Sequence, residues 1–296
     1  FPNNVNRIEF AVCPGVPNIL YAIGAIGSFS SNTFVSNDGG ESWISRTEPA
    51  IFQGYGQAWY DLDIACDPFN CFKLLSGGVN MAESGFQGLT WKVIAQEMHT
   101  DHHIIAFDPK RQGRVIFGND GGIWLSENGG ASTVDKSIGY VTTQFYAGAI
   151  HPAAGSPYVM GGTQDNNSLI IEEAGLAPSK TAWGGDGMFG FIDQNEPNIQ
   201  MVSSQYGNYG LSLNGGFSFG FGADVGGEFV NRSGYDDNAN ILYGQVDQVG
   251  INDIDFFRWF VNTSQLDKVD IPGYNINVTA VKADPAVPNR IYFGGQ

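Results

Sequence analysis

Positive charge is scarce in this chain. Seven lysines and seven arginines stand against 30 acidic residues in 296, a formal net charge of −16. So few cations cannot neutralise a phosphate backbone or an anionic leaflet, which excludes nucleic acid and argues against docking on an acidic membrane surface. Charged residues of both signs make up only 15%, against roughly 25% in an ordinary soluble domain. No apolar run of about 18 residues occurs, so no membrane insertion by this segment is expected. Cysteine is limited to Cys13, Cys66 and Cys71, with no Cys-x-x-Cys motif. His-Glu-x-x-His, a full EF-hand loop, a Gly-x-Ser-x-Gly elbow and a phosphate-binding loop are absent too. What the chain has in excess is glycine, 41 residues, roughly twice the usual ~7% share. Aromatics stand at 13% and hydrophobic residues at 42%. That is too apolar for disorder, and with few helix formers it points to an all-β protein with many tight turns.

One unit recurs: an apolar strand, an Asp-Pro-like turn, and a second apolar strand ending near glycine. Clear copies are Leu62-Asp-Ile-Ala-Cys-Asp-Pro68 with Lys73-Leu-Leu-Ser-Gly77, Ile104-Ile-Ala-Phe-Asp-Pro109 with Arg114-Val-Ile-Phe-Gly118, and Thr279-Ala-Val-Lys-Ala-Asp-Pro285 with Arg290-Ile-Tyr-Phe-Gly294. The seven copies close at positions 22, 77, 118, 161, 203, 244 and 294. Most intervals match the ~40–45 residues of a four-stranded propeller blade. Such a sheet cannot bury both faces alone, so blades stack radially. The expected fold is a β-propeller of seven four-stranded blades, possible also as part of a larger or double propeller. The blades fall near 5–45, 59–92, 99–134, 143–183, 185–220, 231–262 and 275–296, the last completed by the N-terminal region. The chain is read as one domain, 1–296. It opens on Phe1 without Met or a signal-peptide pattern and stops just after a strand, so a processed chain or fragment is expected.

A second feature follows the second strand of several units. Ser36-Asn-Asp38-Gly39-Gly40-Glu-Ser-Trp43 fits Ser-x-Asp-x-Gly-x-x-Trp, with degenerate copies at Ser126-Glu-Asn128-Gly129-Gly130 and Ser212-Leu-Asn214-Gly215-Gly216. The Asp or Asn side chain bonds local N–H groups and Gly supplies positive φ. Trp43 then packs as an aromatic anchor, and Asp38 is structural, not catalytic.

Cys66 and Cys71 bracket a turn. Either they close a short disulfide in an oxidising compartment, or all three cysteines stay unpaired. Asn-x-Ser/Thr sequons begin at Asn166, Asn231, Asn262 and Asn277, a number near chance in so Asn-rich a chain. The aromatic stretch Ile251–Phe260 is expected as an outer strand with a buried face, and Phe217–Gly222 as blade-edge packing.

The phased Ser/Asp/Gly turns resemble those of BNR/Asp-box, sortilin-like propellers, whose blades are similar to those of sialidases and xyloglucanases. A closer resemblance is to large secreted bacterial proteins of the Bacteroidetes type. It is carried by Trp59-Tyr-Asp-Leu, His99-Thr-Asp-His-His, Gly118-Asn-Asp-Gly-Gly-Ile-Trp-Leu-Ser126, Gln144-Phe-Tyr146, Gly161-Gly-Thr-Gln-Asp-Asn166 and Gly184-Gly-Asp-Gly187. The resemblance implies an extracellular or cell-surface location, type IX secretion, and a polysaccharide or a cell-surface or secretion-system protein as partner.

In a propeller, residues just before the first strand of a blade and just after the second converge on one mouth. Before a first strand come Trp59, Asp61, His99, Asp101, His102, Gln144, Tyr146 and Asp186. After a second strand come Asn80, Asn119, Asp120, Thr163, Gln164, Asp165, Asn166 and Gln205. Three readings compete. Strand alternation would face His99, Asp101 and His103 together as ligands for Zn2+, while Asp120, Asp165 and Asp186 suit Ca2+. Asp120 and Asp186 could instead be the acid and base of a glycoside hydrolase. Trp59, Asp61, Tyr146, Gln164, Asp165 and Trp183 would then contact the ligand, the aromatics stacking on sugar. Sialidase chemistry is disfavoured, since no Arg lies in these motifs to hold a substrate carboxylate. The third reading is structural, polar groups cross-linking blades by buried hydrogen bonds. The function expected is a binding or scaffold module for glycan or protein, with a glycoside hydrolase as alternative.

Overall fold

In a computed structural model describing residues 3–52, 54–140, 143–246, 256–269 and 278–295, the protein is all-β and built from β-propeller blades. Among the described residues, six antiparallel sheets have four strands and one has two. The chain divides into two compact units, Phe1–Val141 and Thr142–Gln296.

The first unit holds three sheets. The first is β1 (Arg7–Val12), β2 (Leu20–Ile26), β3 (Phe29–Ser36) and β4 (Ile44–Ser45). The second is β5 (Asp63–Asp67), β6 (Asn70–Gly77), β7 (Met81–Ser84) and β8 (Lys92–Ile94). The third is β9 (His102–Phe107), β10 (Val115–Asn119), β11 (Gly122–Ser126) and β12 (Val134–Asp135). Strands pair in chain order within each sheet, and β5 lies beside both β1 and β9.

The second unit repeats the plan. Its sheets are β13 (Phe145–Ile150), β14 (Val159–Thr163), β15 (Ser168–Ile171), β16 (Lys180–Trp183); then β17 (Gly190–Ile192), β18 (Gln200–Ser204), β19 (Asn208–Ser212), β20 (Gly220–Asp224). The third is β21 (Ser233–Asp236), β22 (Ile241–Gln245), β23 (Phe256–Phe260), β24 (Gln265–Val269), followed by the hairpin β25 (Val278–Ala283) and β26 (Ile291–Gly295).

Each core lies between consecutive sheets. Tyr21, Ile23 and Val35 of the first sheet meet Leu62, which leads into the second sheet, and Ile64 and Leu74 within it. Leu75 and Met81 of the second meet Ile105, Val115 and Phe117 of the third. In the second unit Met201 and Tyr209 meet Leu242, Phe257 and Trp259. Strand β2 is covered on both faces, with Tyr21–Ala25 all buried, whereas Ile116 of β10 and Tyr292 and Phe293 of β26 keep one face exposed. This is why β2 reads as a continuous apolar run rather than an alternating one. Phe257 and Trp259 are buried on β23, the third strand of its sheet and not the outermost; residues 251–255 and Asn277 lie outside the described residues. In the Phe217–Gly222 stretch Phe219 packs inward, but Phe217 and Phe221 are exposed.

The turn after the third strand has one repeated geometry. Ser36 Oγ donates to Asp38 Oδ1 (2.7 Å) and accepts from Gly40 N (2.8 Å). Asp38 Oδ1 accepts from Ser42 N, and Trp43 Nε1 donates to the Gly40 carbonyl. Ser126/Asn128 and Ser212/Asn214 repeat this, with one reversal. Where the Asp38 carboxylate accepts from the Ser42 hydroxyl, the Asn128 and Asn214 amides donate to Ser132 and Ser218. A fourth copy occurs at Ser84, whose Oγ accepts from Gly88 N and Phe86 N with no Asp or Asn at all.

The disulfide expectation is corrected. Cys13, after β1, is bonded to Cys71 on β6, with Cα atoms 5.4 Å apart. Cys66 is a buried free thiol whose pKa burial pushes up to about 12. Side-by-side packing of the first two sheets brings Cys13 to Cys71, so the bridge joins neighbouring sheets instead of closing the local turn.

Candidate functional site: an aromatic and acidic face in the first unit

Segments that precede a first strand and those that follow a second strand do meet, in one cluster within each unit. In the first, Gln57–Asp61 leads into β5. Arg7 of β1 clamps it: Nη1 donates to the Tyr60 carbonyl at 2.7 Å and lies 3.5 Å from that of Trp59, while Nη2 donates to the Leu62 carbonyl at 2.9 Å. The Arg7 Nε is itself paired with Glu9 at 2.8 Å. Asp61 is fully buried and Leu62 enters the core. Anchored from beneath in this way, the segment still leaves Trp59 63% and Tyr60 40% exposed, their ring centroids 5.7 Å apart.

Asp120, at the β10–β11 turn, is gripped from two sides. The Tyr60 hydroxyl donates to its Oδ2 at 2.9 Å and His103 Nε2 lies 2.7 Å from its Oδ1. Tyr60 and His103 stand edge to face, 4.7 Å between centroids. Gln57 Nε2 donates to Asp61 Oδ2 at 3.1 Å and also to Asp101 Oδ1. Burial above all, and the Asp101 charge, push the Asp61 carboxyl up to about 7. The Asp101 carboxyl is raised by burial and by Asp120.

The histidine alternation is corrected. Strand β9 begins only at His102, and Asp101 sits at φ 63°, so the residues before it do not alternate. His103 turns to Asp120, Asp101 to Gln57, and His99 Nδ1 to the Thr100 carbonyl at 3.0 Å, its ring packed against Gly121 where no Cβ would fit. The donor atoms of His99, Asp101 and His103 do not form one set. His102 is buried, and burial lowers its pKa to about 4. Asn119 Nδ2 ties this segment down through the His99 carbonyl.

In the second unit Asp165 N donates to Asp186 Oδ1 at 2.8 Å and Asp186 N to Gln205 Oε1 at 3.0 Å. Gln164 N donates to the Gln144 carbonyl and Thr163 Oγ1 to that of Asn167. The Tyr146 hydroxyl is raised by burial and by the Asp186 and Asp165 charges, which places it beside both. This cluster uses its polar groups largely on backbone. Trp183 stands apart from it. The indole packs over Gly210, where an added Cβ would lie 2.8 Å from the ring, and belongs to the apolar core. A cleft of about 410 Å³ between β13, β17, β21 and β25 is lined by none of the candidate site residues.

Sequence reasoning missed Tyr60, Gln57 and Arg7. Tyr60 sat inside a motif already noted, but its partner Asp120 is 60 positions away. Arg7 lies outside every motif.

No protein-family model and no curated protein matches the chain. Among solved structures, a GH74 enzyme from Niastella koreensis aligns with 86% of this chain and 45% of its own, at TM-score 0.38 and 16% identity. YCF48 from Cyanidioschyzon merolae aligns with 99% of this chain and 94% of its own, at TM-score 0.34 and 14% identity. A GH74 xyloglucanase from Xanthomonas campestris aligns with 97% of this chain and 57% of its own, at TM-score 0.31 and 14% identity. The chain thus spans less than half the length of the Niastella enzyme.

Proposed function

We propose that this chain is a glycan-binding module, extracellular or on the cell surface, and that Trp59 and Tyr60 form the platform on which a sugar stacks. The observation that carries this reading is an exposed indole on a segment pinned by Arg7, by buried Asp61 and by the Tyr60–Asp120 bond. A large apolar ring held in place loses little entropy on binding. Asp120 and His103 beside it supply hydrogen-bonding groups for sugar hydroxyls. The Cys13–Cys71 bridge favours an oxidising compartment.

Affinity electrophoresis through gels containing soluble polysaccharides tests the reading. Retardation of the wild type by at least one polysaccharide, lost in Trp59→Ala, is the expected result. Migration unchanged in every gel counts against it. Release of reducing sugar, lost in Asp120→Asn, would replace it with the hydrolase alternative.

A further inference from the structure

Beneath the aromatic face lies a pair of acids that the sugar reading does not use. Asp61 is wholly buried; its Oδ2 takes one hydrogen of the Gln57 amide, and its Oδ1 is buried with no hydrogen-bond partner. The other hydrogen of that NH2 group goes to Asp101 Oδ1. One neutral amide therefore serves two carboxylates. Asp101 Oδ2 accepts only from the Thr100 hydroxyl at 3.2 Å among the described bonds. A carboxylate oxygen of Asp120 lies within 4.8 Å of one of Asp101 and adds to the negative potential. The His99 imidazole also acts on Asp101.

A buried acceptor without a donor is costly, and two carboxylates in mutual range make it costlier. A bound cation relieves both. The donors that face this space are the carboxylate oxygens of Asp61 and Asp101. Of the imidazoles nearby, His103 spends Nε2 on Asp120 and His99 turns Nδ1 to the Thr100 carbonyl. Carboxylate oxygens without a thiolate select a hard cation.

We propose that Asp61 and Asp101, bridged by Gln57, bind a divalent cation of the calcium class beneath the Trp59–Tyr60 segment. The site differs from both metal sets expected from the sequence, and it stands whether or not the face above binds sugar. An ion here would tie the segment before β5 to the segment before β9.

Calorimetric titration of Ca2+ into chelator-stripped protein tests this, with Tb3+ luminescence excited through tryptophan as the second readout. One equivalent of Ca2+ is expected to bind, with a Kd on the order of 10⁻⁴–10⁻³ M, and to displace Tb3+. Asp61→Asn, which is isosteric and removes a buried charge, should fold and lose this binding by about tenfold or more. Should Asp61→Asn not fold, Asp101→Asn serves, because Asn is at home in the left-handed backbone of that residue. The exposed control Glu173→Gln should bind like the wild type. Absence of binding at millimolar Ca2+ overturns the proposal and leaves a shared proton as what satisfies the pair. So does binding that survives both Asn variants unchanged.

Discussion

The His103 imidazole meets the Asp120 carboxylate at 2.7 Å, and the same carboxylate holds the Tyr60 hydroxyl. Three residues from three different segments thus fix one another, and the exposed aromatic pair inherits that rigidity. Removing the Tyr60 hydroxyl breaks the chain of contacts at its cheapest point. Tyr60→Phe keeps the ring but frees it to swing, and a hydrogen bond of this kind contributes about 0.5–1.5 kcal/mol. Glycan affinity should fall roughly 3–10-fold, with the thermal midpoint nearly unchanged, as read by calorimetry on both proteins.

Arg7 acts on the face without touching a ligand. Its guanidinium spans the carbonyls of Tyr60 and Leu62 and approaches that of Trp59. A lysine ammonium is one point charge and cannot span them. Arg7→Ala and Arg7→Lys should therefore both weaken glycan binding, and both should destabilise the first unit by about 1–2 kcal/mol. Urea unfolding measured beside affinity separates this positioning role from direct contact, since Trp59→Ala should lower affinity alone.

The Cys13–Cys71 bridge spans 58 residues. Closing a loop of that length typically contributes about 2–4 kcal/mol. Cys71→Ser should reduce stability by that order, while Cys66→Ser should cost far less. Peptide mapping without reduction should recover the Cys13 and Cys71 peptides joined, with Cys66 alkylated only after unfolding, as its burial requires.

Asp38 predicts an acid-dependent term. Hydrogen bonds from Ser42 hold its carboxyl down to about 2, from the usual 3.8. A carboxyl lowered in the folded state stabilises above its unfolded pKa and loses that contribution as pH falls through the folded one. The loss should run from about pH 4 to about pH 2. Asp38→Asn, the residue this chain already uses at positions 128 and 214, should keep the turn and remove this part of the acid sensitivity. Urea midpoints at pH 7 and near pH 2.5 for the two proteins would show it.

The sheets were legible in the sequence because apolar residues gather in short runs between Asp-Pro turns, even where one face stays exposed, as at Ile104 and Ile116. Ile104–Pro109 and Arg114–Gly118 are such runs, and they form β9 and β10. The Ser36, Ser126 and Ser212 turns were legible because each needs a hydroxyl, an Asx side chain and glycine at fixed spacing. Ser84 escaped notice because Phe86 stands at the Asx position, where the serine hydroxyl and backbone amides alone close the turn. The site was legible only as a neighbourhood. Asp101 leaves extended backbone, which a two-residue period cannot foresee, and this dispersed the histidine set. Gln57, Tyr60 and Cys13 act on partners 44, 60 and 58 positions away, brought near by side-by-side sheets. Trp183 is an aromatic beside a candidate loop, but a glycine in the next sheet makes room for it in the core.

The exposed Trp59 ring is the feature on which the proposed function turns, and isothermal titration tests it most directly. An oligosaccharide from a polysaccharide that retards the wild type is titrated into wild type and Trp59→Ala under identical conditions. The account predicts saturable binding to the wild type and a loss of about tenfold or more in the variant, with the fold intact by circular dichroism. Equal affinity in the two proteins would contradict it.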